Sequence, residues 1–527
     1  TTFQLGDTRL DLGIGGFLIF SCFFRAASAI IDSIIECLLI RSFNVRRFAM
    51  KLSRSRRDTF FLSAMLIFSA VFYLFFAFLD GPYLSPDSET YIAMSLHREP
   101  LYSLFLALMR ALFGPDREKY LMGAIIVQSL LTAAAAWSIP AFLYKKLSLP
   151  KPVAFLLLMM PFGVSLLCRF GAGRRAMYST SIESEALALP LFLLFFRFLA
   201  AYVMDKRSRL KNLCITALFC FLLISIRKQM YAALLILLIV IFAKMLSSKC
   251  WKKGLISLTV SALTVLLAVT GLDLSYNTVL RGEAVRHSGD SRFLLTMIFY
   301  TAERSYGEKI DDPEIRELFY NIYDTCDEAG YLKHSAPNGW LPRVNHFGDH
   351  YDHIQIDTLR PGVTDYVAVN EPGTETEMAS RVDDIMQIMT KSLLPSCLPS
   401  MIGCFFDNML SGLVTTVSMR TFLLSIAALI LYAGYLSLCA LCFLRSRRCC
   451  GTENNLSIKK KARPEVLQFS MLVLLCIVVN VAVVSAVIFC QSRYTIYNMP
   501  LFYMGGVLMG WEVLSTTVRH VKNGTAK

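Results

Sequence analysis

The sequence predicts an all-α polytopic membrane protein with about ten transmembrane helices and a mainly α-helical extracytoplasmic loop domain. The first observation is composition: 55% of the residues are hydrophobic and only 17% are charged, whereas a soluble domain has about 25% charged residues. The second is that the apolar residues collect in separate segments. Most of these are close to the roughly 20 residues that a helix needs to cross the hydrocarbon of a bilayer.

The apolar segments and their connections together predict the topology. Every second loop between the apolar segments is rich in Lys and Arg, which is typical of cytoplasmic loops. Ten spans with both chain ends in the cytoplasm place all of these basic connections on one side. The predicted spans lie near 59–79, 120–143, 151–169, 184–204, 212–226, 230–246, 254–275, 417–444, 466–490 and 499–517.

The distribution of charge is the third observation. The stretch 276–410 contains 21 acidic and 11 basic residues, a net charge of −10, whereas the rest of the chain has 42 basic and 18 acidic residues, a net of +24. The excess positive charge therefore lies in the short connections, as the positive-inside rule describes. A basic surface for nucleic acid would instead concentrate this charge on one folded region, so we expect no nucleic-acid partner.

Five regions follow from these patterns. Residues 1–49 read as an amphipathic or dispensable extension, with an additional span as the alternative, because 13–40 is apolar but contains Arg25, Asp32 and Glu36. The predicted regions are the extension 1–49, a transmembrane domain 50–275 with a first outer loop at 80–119, an extracytoplasmic loop domain 276–416, a transmembrane domain 417–517 and a cytoplasmic tail 518–527.

Two amphipathic patterns predict that the large loop is folded. One helix is expected to begin at Asp311-Asp-Pro313, where acids and proline favour a helix start, and a second is expected over 374–391. We expect their apolar stripes to pack as core rather than to line a substrate groove. The stripes are Ile315, Leu318, Phe319, Ile322 and Tyr323 in the first, and Met378, Val382, Ile385, Met386 and Met389 in the second.

The first outer loop contains three carboxylates close to the end of the first span, namely Asp80, Asp87 and Glu89. Gly81 and Pro86 stop the helix there, which holds these acids near the bilayer surface. Carboxylates at that depth are costly unless they are paired or used in function. The alternative is that they are solvated loop residues.

Several short motifs follow one another along the chain on the predicted outer side. They are Asp-x-x-x-Tyr at 87–91, Arg-x-Pro-x-Tyr at 98–102, the acids Glu183 and Glu185 at the fourth span, Arg227 after a short fifth span, and Arg493-Tyr494 before Pro500. In this order the motifs resemble those of the GT-C class of membrane glycosyltransferases, in particular the bacterial relatives of protein O-mannosyltransferases and aminoarabinose transferases. The chain has Asp-Ser where many of these relatives have Asp-Glu, and its penultimate outer loop is larger.

The resemblance implies an enzyme of the plasma (inner) membrane that moves a sugar from a polyprenyl-phosphate donor to an unknown acceptor. In that interpretation Asp87 is the general base, with Asp80 and Glu89 as alternates. The basic residues would bind lipid phosphate, or else anchor the protein by reaching lipid headgroups. The phosphate candidates are Arg98, Arg227, Lys228 and Arg493, and the substrate-binding candidates are Glu183, Glu185, Tyr91 and Tyr494.

A histidine-rich stretch in the large loop suggests a metal site. His346, His350 and His353 lie at intervals of four and three residues, with acids between them. Three or four converging nitrogen or oxygen ligands could hold a divalent metal. A solvated turn rich in His and Asp would show the same pattern.

Two other classes of function remain open at this stage. One is a non-enzymatic carrier or flippase of lipid or polysaccharide, and the other is an envelope polysaccharide polymerase or ligase. Transporters usually place ionisable residues at mid-membrane and contain repeated halves. In this sequence the conspicuous charges lie at the outer headgroup plane and no repeat is visible, which favours an enzyme at the membrane surface. The chain also lacks a Gly-x-x-x-x-Gly-Lys-Ser/Thr loop for nucleotide phosphates.

The charge distribution gives a first testable prediction about topology. We expect a cysteine introduced at Ser335, in the acidic loop, to react with a membrane-impermeant thiol reagent added from outside. A cysteine at Asn455, in a basic connection, should react only after the membrane is permeabilised. The unmodified chain measures background labelling from native cysteines, and labelling in the reverse sense would contradict the predicted orientation.

Overall fold

The structure is a computed structural model, and it describes residues 2–5, 8–11, 49–171, 175–205, 208–248, 251–447 and 463–524. Most of the predicted extension 1–49 lies outside these ranges. So does most of the basic connection between the predicted spans 417–444 and 466–490. Two short strands were not anticipated: β1 (Thr2–Leu5) pairs antiparallel with β2 (Thr8–Asp11). The rest of the described chain is predominantly helical.

The first half of the described chain forms nine helices. The short helices α2 and α3 lie between the first two long ones, in the predicted first outer loop. The helices are α1 (Ala49–Asp80), α2 (Ser88–Ile92), α3 (Pro100–Phe113), α4 (Arg117–Leu147), α5 (Lys151–Gly171), α6 (Glu185–Met204), α7 (Arg209–Ile226), α8 (Tyr231–Ser248) and α9 (Trp251–Arg281).

The second half contains a group of shorter helices followed by long ones. Short 3₁₀ or π turns join several of them, and the π turn His353–Leu359 connects α12 to α13. The helices are α10 (Ser291–Thr301), α11 (Pro313–Glu328), α12 (Trp340–Asp352), α13 (Arg360–Asn370), α14 (Glu375–Val417), α15 (Phe422–Arg447), α16 (Pro464–Ser485), α17 (Ser492–Thr495) and α18 (Met499–Gly524).

Ten helices in the described ranges are long and apolar enough to cross a membrane, which indicates a multi-pass membrane protein. Nine of them overlap predicted spans. The tenth is α14, which the sequence analysis placed in the outer loop, whereas α18, over the predicted span 499–517, is less apolar and falls outside the ten. The positions of these two helices in the bundle explain the difference.

One end of the bundle, called the site end below, is marked by three contacts. Asp80 at the end of α1 pairs with Arg169 near the end of α5, and Glu185 at the start of α6 pairs with Arg227 after α7. Tyr503, one turn into α18, donates a 2.5 Å hydrogen bond to the carbonyl at the end of α14. The helix α14 therefore ends at the site end.

The opposite end is marked by contacts among other helix ends. The backbone N–H of Arg463, just before α16, donates to Glu512 of α18 at 3.1 Å, and the Arg463 guanidinium reaches the carbonyl of Leu147 at the end of α4. Arg445 near the end of α15 donates to the carbonyl of Val513 in α18 at 2.8 Å. The helix α18 therefore runs from one end of the bundle to the other.

The start of α14 also lies at the site end. Asp383, in its third turn, accepts a 2.8 Å hydrogen bond from the N–H of Gly289, and Ser288 in turn donates its N–H to Leu96 in the first loop. Both ends of α14 thus lie at the same end of the bundle. The helix α18, by contrast, extends between the two ends of the bundle, as the predicted span 499–517 requires.

The segment between α9 and α14 has a hydrophobic core of its own at the site end. All five residues of the first predicted stripe, on α11, are buried in it, together with Ile385, Met386 and Met389 of the second, while Met378 and Val382 pack at its edge. Asp312 caps α11 by accepting from the N–H groups of Glu314 and Ile315. The prediction that these stripes form core is confirmed.

Candidate functional site

The first loop is held against the start of α6 by backbone and hydroxyl contacts. Tyr83 exchanges two hydrogen bonds of 2.9 Å with the backbone of Thr180 and Ile182. The hydroxyl of Ser88 also donates to the carbonyl of Ile182 at 2.6 Å. A positive φ of 64° at Gly81 lets the chain turn sharply after α1. As a result Asp87 and Glu185, almost 100 residues apart in sequence, are brought to the same region.

Asp87 lies between two guanidinium groups. Nη2 of Arg98 donates to its carboxylate at 2.5 Å, and Nη1 of Arg493 is 3.6 Å from its other oxygen. Nε of Arg98 donates to the hydroxyl of Thr90 at 2.8 Å, which fixes the guanidinium plane. The Asp87 side chain remains 34% exposed, so it is accessible to a ligand as well as paired.

A second carboxylate and a third arginine lie next to this pair. Glu185 forms an ion pair with Arg227, and the Glu185 side chain is only 2% exposed. Burial, the largest single effect, lowers the pKa of Arg227, but the Glu185 carboxylate and the neighbouring tyrosines together raise it well above its usual range, so this guanidinium stays charged.

Tyr494 connects the two pairs. The guanidinium of Arg227 lies 4.8 Å and that of Arg493 4.9 Å from the centre of its ring, distances typical of cation–π contacts. Arg493 also donates to the Tyr494 hydroxyl at 2.8 Å. Two of the predicted phosphate candidates, Arg227 and Arg493, therefore lie against the same ring.

We refer to Arg98, Arg227, Arg493, Asp87 and Glu185 as the arginine cluster. Its three cations and two carboxylates leave a formal charge of +1 at the end of an apolar bundle. Because charge at a membrane surface is poorly screened by protein and lipid, an anionic group would find this position favourable. Planar guanidinium groups are suited to the oxygens of a phosphate.

The other two predicted carboxylates lie outside the arginine cluster. Asp80 is 2% exposed and forms a two-pronged pair with Arg169, with distances of 2.5 to 3.0 Å. Glu89 is 63% exposed and pairs with Arg117 at the start of α4. The structure therefore does not bring either alternate base to Asp87.

Lys228 is also directed away from the arginine cluster. Its ammonium group pairs with Asp290, in the segment after α9. Its backbone N–H donates to Glu99 at 2.9 Å, so the turn after α7 is tied to the start of α3. Arg227 and Lys228 are adjacent in sequence, but their side chains have separate partners.

The remaining substrate-binding candidates are mostly enclosed. Tyr91 is buried beneath Arg98, whose guanidinium is 4.6 Å from the ring centre, and its ring packs edge-on against Tyr102 at 5.0 Å. Burial raises the pKa of Tyr91 above its usual range, so the phenol is neutral at ordinary pH. Glu183 is buried as well. Tyr91 thus supports the position of Arg98 from below.

The three histidines do not form the predicted metal site. His346 contacts Tyr300 and the carbonyl of Gly330 at 3.2 Å, His353 pairs with Asp357 at 2.7 Å, and His350 lies in stacking contact with the ring of Tyr331. Across the described ranges, no group of three or more His, Cys, Asp or Glu side chains is arranged to hold a metal ion. The spacing places the rings on one face, but the nitrogens of His346 and His353 have separate partners, and Nδ1 of His350 is buried without a hydrogen-bond partner.

Two polar residues that the sequence analysis did not select hold the Tyr494 turn. Gln229 and Asn480 each donate a 2.8 Å hydrogen bond to the Tyr494 carbonyl. Asn480 lies inside the apolar segment 466–490, and a buried polar side chain in a span is itself a signal of structural or functional use. Gln229 follows the two basic residues of the short turn after α7.

Comparison of the chain with protein-family models, with curated proteins and with solved structures found no match.

The different environments of Asp80 and Glu89 give a stability prediction. Asp80→Asn removes the enclosed counter-charge of Arg169 from a pair in which the Asp80 side chain is 2% exposed, so we expect the free energy of unfolding to fall by about 3 kcal/mol. Glu89→Gln breaks an exposed pair and should cost about 0 to 1 kcal/mol. Thermal unfolding of the purified protein in detergent measures both, and equal losses would show that Asp80 is not the structural carboxylate described here.

Proposed function

We propose that this protein is a membrane glycosyltransferase that moves a sugar from a polyprenyl-phosphate donor to an acceptor at the outer face of the plasma (inner) membrane. The observation that carries the proposal is the arginine cluster at one end of the bundle. Arg98 and Arg493 hold the partly exposed carboxylate of Asp87, and Arg227 lies against the same tyrosine as Arg493. The resemblance of the motifs to GT-C glycosyltransferases also supports it.

The chemistry of such a transfer matches the contents of the cluster. An acceptor hydroxyl attacks the anomeric carbon, the bond from that carbon to the phosphate oxygen breaks, and the lipid phosphate leaves with the bonding electrons. Negative charge therefore develops on phosphate oxygens at the headgroup plane. Arg227 and Arg493 are the groups that we assign to this charge, because charge-assisted hydrogen bonds strengthen as it develops.

Asp87 is the group that we assign to the acceptor proton. The guanidinium groups of Arg98 and Arg493 stabilise its ionised form, which is the form that accepts a proton, and orient its oxygens. A bound phosphate that draws Arg493 away would leave Asp87 paired with Arg98 alone and make it a stronger base. Binding of the donor and activation of the acceptor are then linked through Arg493.

The orientation in the membrane rests on the charge distribution. Lys145, Lys146 and Arg445 belong to the opposite end of the bundle, near the contacts of Arg463. Basic residues favour the cytoplasmic side, so the site end, with the acidic segment 282–374, is assigned to the outside. A polyprenyl-phosphate sugar in the outer leaflet would present its anomeric carbon at this depth.

The role of the arginines is tested by lipid binding. Arg227→Ala and Arg493→Ala should each weaken binding of a short-chain polyprenyl phosphate by about 10- to 100-fold, since a charge-assisted contact contributes about 1.5 to 3 kcal/mol. Arg304→Ala is the matched control, because Arg304 forms an exposed pair with Asp324 far from the cluster. Unchanged affinity in both cluster variants would instead favour simple anchoring to lipid headgroups.

The role of Asp87 is tested by sugar transfer. Asp87→Asn keeps the shape of the side chain but removes its basicity, so transfer should fall by about 10²- to 10⁴-fold, while folding and lipid binding persist. Asp324→Asn, which removes an exposed carboxylate paired with Arg304, should leave transfer unchanged. Full activity of Asp87→Asn would exclude this residue as the base and would strengthen the alternative of a non-enzymatic carrier.

A further inference from the structure

A small polar cavity lies beside the arginine cluster, between the start of α3, the turn after α7 and the final third of α9. Its volume is about 60 Å³, which is room for a few water-sized groups. Both hydrogen-bond donors and acceptors line it. Its polar lining residues are Glu99, Ser225, Lys228, Tyr231, Thr270, Asp273, Arg286 and His287.

The most unusual group in this cavity is a buried carboxylate–imidazole pair. Nδ1 of His287 is 2.6 Å from Oδ2 of Asp273, and the backbone N–H of His287 donates to both oxygens of the same carboxylate at 3.3 Å. The side chains are 8% and 7% exposed. Of the two neutral tautomers, a carboxylate at Nδ1 favours the one with the proton on Nδ1, in which Nε2 carries the lone pair.

Nε2 of His287 has no hydrogen-bond partner in the described structure, although it is buried. The nearest charged oxygen is on Asp290, 3.7 Å away, and Asp290 is already paired with Lys228. A buried acceptor without a donor is unfavourable. Because the imidazole lines the cavity, a donor group that enters it would satisfy this nitrogen.

The cavity is physically joined to the arginine cluster by two pairs of neighbouring residues. Arg98 and Arg227 belong to the cluster, whereas Glu99 and Lys228, which follow them directly, line the cavity. The 2.9 Å hydrogen bond from the Lys228 N–H to Glu99 holds the two segments together. The cavity and the arginine cluster are therefore neighbours, separated by a single step along the chain at two places.

We propose that this cavity binds hydroxyl groups of a sugar and that Nε2 of His287 accepts a hydrogen bond from one of them. Glu99 supplies a second acceptor, and Lys228, Tyr231 and Arg286 supply donors. The carboxylates of Glu99 and Asp273 balance the two cations, so the lining suits neighbouring hydroxyls rather than a phosphate or an apolar chain. Asp273 is a positioning residue that fixes the tautomer of His287. The identification of the ligand as a sugar substrate rests on the proposed function.

The proposal is tested by the reaction of His287 with diethyl pyrocarbonate, which modifies an unprotonated imidazole nitrogen and is followed residue by residue by mass spectrometry. The full chain is used in lipid nanodiscs. The probes are citronellyl phosphates carrying glucose, mannose or galactose, citronellyl phosphate without a sugar, and the three free hexoses. His334, which forms an exposed pair with Asp327, is the internal reference for reagent activity.

Sugar-bearing probes should slow modification of His287 about tenfold at about ten times their dissociation constant, and sugar-free citronellyl phosphate should not. Protection by the citronellyl-linked sugars alone would assign the cavity to the donor, and protection by free hexoses to the acceptor. Absence of protection by every sugar, with the reference unaffected, would overturn the proposal. The assay needs no turnover, so protection without transfer would reject the glycosyltransferase and keep the sugar site.

Two substitutions separate sugar binding from a purely structural role. Asp273→Asn allows the new amide to donate to Nδ1, which moves the imidazole proton to Nε2, so we expect modification of His287 to slow and sugar protection to be lost while the protein stays folded. His287→Gln keeps an acceptor in the cavity and should retain sugar-dependent transfer better than His287→Ala, with the difference in KM. Equal KM values for these two variants would contradict the assignment.

Discussion

The buried pair between Glu185 and Arg227 is the interaction on which the site end of the bundle depends. It joins the start of α6 to the turn after α7, and Glu185 is almost completely buried. Two charges at this depth are tolerated because each compensates the other, and loss of one partner would leave an isolated charge in a medium that solvates it poorly. The tyrosine on which Arg227 rests is also the one that Arg493 contacts.

That pair affects two neighbouring parts of the site. In the first, it holds Arg227 against the ring of Tyr494, the same ring from which Arg493 reaches Asp87. In the second, the residue after Arg227 is tied to Glu99, so the wall of the polar cavity is set by the same turn. One short segment therefore positions both a cationic region and a region of mixed donors and acceptors, which is the division that a substrate with a phosphate and a sugar requires.

Hydropathy and charge were sufficient to predict most of the helices, because the bilayer imposes a length and a polarity on every span. Length and apolar composition alone would make α14 a span and leave out α18, although the sequence analysis had placed α14 in the outer loop and a span over 499–517. Apolar residues of α14 pack against the core of the acidic segment, and hydropathy does not distinguish burial in protein from burial in lipid. In α18 the polar Glu512 lowers the apolar character of the helix, and its carboxylate accepts from the backbone N–H of Arg463.

Sequence reasoning selected site residues only where a charged or aromatic residue lay beside the predicted outer end of a span. The short motifs selected Asp87, Arg227 and Arg493 one by one, whereas their contacts with one another were not predicted. The partner of Asp80 could not be predicted, because Arg169 is close to it only after α1 and α5 pack together. The histidine spacing predicted a shared face but not the directions of the ring nitrogens. His287 was missed because its partner Asp273 lies 14 residues earlier, inside α9, whereas His287 follows the end of that helix.

The central claim is that the arginine cluster receives the phosphate of a polyprenyl lipid, and a structure of the protein in nanodiscs with bound polyprenyl phosphate tests it most directly. The account predicts phosphate density within hydrogen-bond distance of Arg493 and Arg227, with the carboxylate of Asp87 facing the position of the acceptor. Phosphate bound at another end or face of the bundle, with the contacts between Asp87 and Arg493 unchanged, would contradict it.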